Sequence, residues 1–131
     1  MENIQKFEII ILGVIFDPET RKILIGKAKG DKNWSFLEGN LKYNEELDVG
    51  LKKVAKEKTG YNVKNLGAIF AKNYLEKKDE LEIYFLCEIA EGKEKKGENV
   101  EELKWIKPNK VEEYFNKKLP TRLKEYIMHL G

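Results

Sequence analysis

The run Phe7–Phe16, FEIIILGVIF, is apolar at nearly every position and rich in β-branched residues. A strand with one face in water alternates apolar and polar residues. A run without that alternation reads as a strand buried on both faces. Such a strand needs covering structure above and below its sheet, and this constrains the chain more than any other feature. The segment Ile9–Phe16 is far too short to cross a bilayer, and acidic Glu2 and Glu8 precede it.

The rest of the chain can supply that cover. Asp17–Thr20, DPET, is turn chemistry with proline at its second position. Lys22–Ala28 follows as a second strand, making a hairpin, and a loop around Gly30 comes next. Asn44–Thr59 reads as a helix. Asn44 suits the N-cap, Glu45 and Glu46 suit the positive end of the dipole, and Gly60 suits the stop. Leu47, Gly50, Leu51, Val54 and Ala55 fall on one face of it. Asn65–Leu75 and Glu80–Ala90 read as strands joined by the turn EKKDE. Val100–Ile106 is a further short strand. Lys110–Asn116 and Thr121–Leu130 read as helices, with Pro120 at the start of the second. The expectation is one domain over residues 1–131, of class α/β, with helices on both faces of a mixed sheet.

Charge and cysteine content narrow the function. Lys+Arg total 25 and Asp+Glu 23, so a net charge of +2 gives no strong reason to expect nucleic acid or an anionic membrane as partner. The single cysteine, Cys87, has no disulfide partner within the chain and sits in the strand-like run LEIYFLCEIA. It reads as a buried, inert thiol. One Cys and one His exclude a Cys/His zinc site. His129 reads as a favourable charge at a helix end. The expected location is cytoplasmic.

The stretch Gly39–Tyr61 carries the chemistry. It resembles, without a gap, the signature of the Nudix hydrolases, G-x5-E-x7-R-E-U-x-E-E-x-G-U, with U aliphatic. Gly39, Glu45, Glu57 and Gly60 match; Ala55 takes the aliphatic position and Tyr61 closes the motif. Lys53 replaces the arginine, Val54 the next glutamate and Lys58 the last glutamate. The flanks agree. Trp34, Phe36 and Gly39 fit the lead-in W-x-F-P-x-G, with Leu37 in place of its proline and Glu38 where many members have glycine. Glu101–Trp105, EELKW, is similar to a late strand that often carries a glutamate shortly before a tryptophan.

The resemblance implies a Nudix-like α/β/α sandwich that acts on a nucleoside diphosphate-linked compound with Mg2+ or Mn2+. Phosphoryl chemistry needs a cation to neutralise phosphate oxygens and a positioned water. Carboxylates at i, i+3 and i+4 share one helix face and can share a metal cluster. Here those positions hold Val54, Glu57 and Lys58, so one carboxylate of three remains and an ammonium group stands in metal territory. Magnesium takes as few as one or two protein carboxylates. Glu57, Glu45 and Glu38 are therefore the candidate metal ligands, with Glu57 and Glu45 also the catalytic candidates. Trp34, Phe36, Glu38, Gly39, Lys53 and Lys58 are the candidate substrate contacts. Glu98, Glu101 or Glu102 could lend a base from the late loop.

Plainer readings stand beside these. Val54 extends the apolar stripe of the helix and suits the core. Glu45 and Lys53 could simply pair at the surface, and Lys52, Lys53, Lys56 and Lys58 could form a solvated face. Trp34, Phe36, Tyr43 and Tyr74 could stack a nucleobase or fill the core. The apolar side of Thr121–Leu130 suits core packing or a homodimer contact. Three functions follow. The first is nucleotide binding with weak or lost hydrolysis. The second is an active Mg2+-dependent hydrolase with carboxylates recruited from elsewhere. The third is a non-catalytic scaffold or interaction domain.

Overall fold

A computed structural model describes residues 2–131. Strand β1 (Glu8–Asp17) lies inside a mixed sheet. It runs parallel to β6 (Lys77–Gly92) and antiparallel to β2 (Lys22–Ala28). Strand β5 (Tyr61–Tyr74) pairs antiparallel with β6 along one side, and β7 (Val100–Ile106) pairs with β2 on the other.

The sheet has a parting that positions the site. β1 and β2 pair only over Ile15–Asp17 and Lys22–Leu24. Past that point the stretch from Trp34 to Asn40 enters between them. Its first part, β3 (Trp34–Ser35), pairs with Gly26 and Lys27 of β2; its second, β4 (Leu37–Asn40), pairs with Ile10–Gly13 of β1. The sequence reading assigns no strand to this stretch. Buried strand edges need hydrogen-bond partners, and the parted β1 and β2 each present one, so the segment becomes strand.

Alternation on β1 divides the core into two layers. Ile11 and Ile15 face helix α1 (Leu47–Thr59) and meet Leu37, Leu51, Ala55 and Phe85. Leu12, Val14 and Phe16 face the opposite side, where α2 (Val111–Phe115) and α3 (Thr121–Leu130) lie with Phe115, Leu123 and Ile127. The expected two-faced burial of β1 and the α/β/α layering are both present. Cys87 is fully buried, and burial pushes its thiol up to about 12. Among the described residues no helix is long and apolar enough to cross a membrane.

Several boundaries differ from the sequence reading. Asn44 is no N-cap: it adopts a left-handed φ of 60°, which asparagine tolerates, and α1 begins at Leu47 after an extended Glu46. β5 starts directly after Gly60 instead of at Asn65, because left-handed Gly60 turns the chain straight into it. The β5–β6 turn is Leu75–Glu76, with Tyr74 paired to Lys77, so the expected turn residues 77–80 lie in β6. The helix expected from Lys110 is a single 3-10 turn, Pro108–Lys110, followed by α2.

Leu123 of α3 is fully buried against the sheet. Leu123→Ala should cost about 2–5 kcal/mol of stability, since the lost methyl groups leave a cavity in a packed layer. Chemical denaturation of the two proteins side by side measures this.

Candidate active site

The site forms where α1 crosses β4. A Cβ on Gly39 would lie 2.6 Å from Cγ2 of Val54, so the missing side chain makes the hollow that Val54 occupies. Val54 is buried there, at 9 % exposure. Its role is packing between helix and strand.

Glu45 has a structural occupation. One carboxylate oxygen accepts the Lys42 backbone N–H at 3.1 Å, and the other meets Lys53 Nζ at 3.0 Å. It also closes over Gly50, where a Cβ would stand 2.9 Å from its Oε1. The Lys42 backbone bond and then the Lys53 ammonium hold the Glu45 carboxyl below the usual carboxylate range. Glu45 thus ties the turn at residues 42–45 to the middle of α1.

The C-terminal end of α1 is met by the loop after β6. Lys95 N–H donates to the Thr59 carbonyl at 2.8 Å and Gly97 N–H to the Lys58 carbonyl at 3.2 Å. A Cβ on Gly97 would come within 2.1 Å of the Glu57 carbonyl oxygen, so this approach needs glycine. Between helix and loop opens a cleft of about 280 Å³, lined by Glu57, Lys58, Glu98 and Asn99. Lys58, Asn99 and Val100 also border a smaller pocket that reaches Lys27, Asp31 and Glu38. Lys58, Asn99 and Val100 thus border two neighbouring pockets, one holding Glu57 and the other Glu38.

Glu38 lies on β4 opposite Leu12. It keeps solvent-exposed surface, yet the protein packed around its carboxyl raises its pKa. Lys58 is the strongest opposing influence; Glu82 adds to the rise, while Lys117 and Lys77 oppose it. Those last three belong to a second cavity of about 210 Å³ that also holds Tyr74 and Tyr84. Tyr84 donates its hydroxyl to Glu82 at 2.8 Å, and burial first, then Glu82, pushes its pKa up.

The aromatic candidates separate. Phe36 is 2 % exposed and packs edge-on against Phe115 and Tyr84, with ring centroids at 4.8 and 6.0 Å; it is core that backs the cleft. Trp34 is half-buried, edge-on to Tyr114, with Lys27 Nζ 5.5 Å from its ring centre. Tyr43 is almost fully exposed, and Tyr74 lines the second cavity. Of the late glutamates, Glu98 lines the cleft and Glu101 lies 3.6 Å from Lys27.

The donors do not fit a cation held by three protein carboxylates. Among the described residues no three His, Cys, Asp or Glu side chains converge to hold a metal ion. Glu38, Glu45 and Glu57 are thus not gathered into one cluster. Lys27, Asp31 and Asn99 were missed by sequence reading, because only strand pairing brings β2 and the loop before β7 to the end of α1.

Glu45→Gln should lower stability at neutral pH. The carboxyl's pKa is depressed in the folded state, so its contribution is present above its unfolded value and vanishes as pH falls through the folded one. Thermal melts across acidic pH should show parent and variant converging as the pH drops.

The comparisons with known proteins agree with this architecture. A NUDIX domain model matches residues 6–130. No curated protein matches the chain significantly. Among solved structures, a UDP-X diphosphatase superposes with TM-score 0.73 at 16% identity, over 98% of this chain and 64% of its own. This chain therefore spans just under two thirds of that protein. A MutT protein from Methanosarcina mazei Go1 gives TM-score 0.74 at 17% identity, over 98% and 96% of the two chains. An ADP-ribose pyrophosphatase from Streptococcus suis 89-1591 gives 0.68 at 16%, over 94% and 87%. At these identities the likeness carries the fold. With the family model covering nearly its whole length, the chain belongs to the NUDIX family.

Proposed function

We propose that this is a single-domain NUDIX protein that binds a nucleoside diphosphate-linked compound and hydrolyses it weakly or not at all. The observation that carries the reading is the inner face of α1. Val54 is packed into the Gly39 hollow, and Lys58 lines the cleft where the motif has glutamate, leaving Glu57 as the one carboxylate of the trio. Nudix hydrolases generally use divalent metals such as Mg2+, and metal-assisted phosphoryl chemistry depends on oxygen ligands at the cation. Two of the structural relatives are pyrophosphatases by name, acting on UDP-X and ADP-ribose, which supports a nucleotide-linked diphosphate as ligand class.

In this reading Trp34 and Lys27 form one wall for the ligand and Glu38 its floor. Phe36 holds that floor from behind. Lys53 and Glu45 keep α1 at its distance from β4. Glu57 remains the catalytic candidate.

One observation favours a second reading, in which hydrolysis survives. Glu98 lines the same cleft as Glu57, so the loop before β7 offers a carboxylate that the helix lacks. A panel of ADP-ribose, diadenosine polyphosphates and nucleoside triphosphates, with Mg2+ or Mn2+, separates the two readings. Thermal shift without turnover above a Glu57→Gln control supports the binding protein; metal-dependent turnover well above that control supports the enzyme.

Restoring both carboxylates tests the cause. Val54→Glu combined with Lys58→Glu should raise Mg2+-dependent hydrolysis in the same panel. A double variant that folds and binds nucleotide yet gains no turnover would show that the defect extends past these two positions.

A further inference from the structure

The lysines of α1 differ in their engagement. Lys52 pairs with Asp48 at 2.9 Å, Lys53 with Glu45 at 3.0 Å, and Lys56 donates to the Gly60 carbonyl at 3.1 Å. Lys58 has no ion pair among the described residues. It is also the lysine of this helix that borders both neighbouring pockets. Lys27 lines the smaller of the two pockets with Lys58 and is engaged by Glu101 and the Trp34 ring.

From this geometry we infer that Lys58, with Lys27 in the same pocket, holds the diphosphate of a nucleotide ligand directly, so that binding needs no divalent cation. The inference rests on the nucleotide-binding reading above. It adds how the charge of the ligand is met. An ammonium group donates charge-assisted hydrogen bonds to phosphate oxygens and supplies positive charge where a cation would otherwise sit. A divalent ion placed beside Lys58 would instead be repelled by it.

Carboxylates share the cleft, and they give the inference its sharpest test. Asp31 is engaged by the Asn33 N–H at 3.0 Å. Glu38 in the pocket of Lys27, and Glu57 and Glu98 in the neighbouring one, remain and repel a bare phosphate. If a cation bridged ligand and protein, Glu57 would promote binding. If ammonium groups hold the ligand, Glu57 opposes it. Removing its charge therefore acts with opposite sign in the two cases.

Isothermal titration with ADP and, separately, inorganic pyrophosphate decides between them. Each titration is run in EDTA and in Mg2+. ADP should bind at least as tightly in EDTA, because Mg2+ competes for its diphosphate. Lys58→Gln should weaken that binding by about tenfold or more, the size of a lost charge-assisted bond. Glu57→Gln should tighten it. Binding that appears only with Mg2+, is lost in Glu57→Gln and is indifferent to Lys58→Gln overturns the inference and leaves nucleotide binding intact. Pyrophosphate held through Lys58 without any ADP binding overturns the nucleotide reading and leaves the anion site. No heat from either probe in either condition overturns both.

Discussion

The structure depends on burying both faces of β1. Ile11 and Ile15 point to α1, while Leu12, Val14 and Phe16 point to α2 and α3, and neither set tolerates water. A strand covered in this way must also satisfy its backbone along both edges. β6 does so along one edge. Along the other, β2 and β4 share the task, each taking half of β1. That division is what draws the Trp34–Asn40 stretch into the sheet and brings Glu38 beside the end of α1.

Helix α1 is then held by its apolar face, with Leu51 and Ala55 in the core, and by close contacts at small residues. Gly39 receives Val54, Gly50 lies beneath Glu45, and Gly97 touches the Glu57 carbonyl. Each glycine permits an approach that any side chain would block. The consequence reaches the chemistry directly. A position where family members carry a carboxylate is here an apolar plug, and the helix gains packing where it loses a ligand. Glu45 shows the same economy: its oxygens close a turn and a lysine pair, so it serves the scaffold that carries Glu57.

Electrostatics in the cleft follow from the same substitutions. Lys58 moderates the burial-driven rise at Glu38 and forms no ion pair among the described residues. Lysine and carboxylate residues interleave around the two pockets that Lys58 borders. Glu82, Lys77 and Lys117 of the separate Tyr74–Tyr84 cavity also act on the Glu38 carboxyl.

Much of this was legible in the residues. The unbroken apolar run of β1 demanded two covering layers, and the helical stripe through Leu51, Val54 and Ala55 fell on the buried face of α1. β2, β7 and α3 have the bounds that their alternation and turn signals indicate. Local patterns set these because burial acts on each element with its own period. The spacing of Gly39, Glu45, Glu57 and Gly60 likewise marked the family and the losses at Val54 and Lys58. Other features had no local signal. Leu37–Asn40 is strand only because β1 and β2 part around it, and Asn44 turns left-handed only because Glu45 folds back on Lys42. Lys27 and Asn99 line a pocket with Lys58 because pairing brings distant segments together. Sequence alone thus determined the layers and the missing carboxylates, since both are written in residue type and period. Tertiary structure decided which charges face one another, since that depends on strand order and on where backbones can touch.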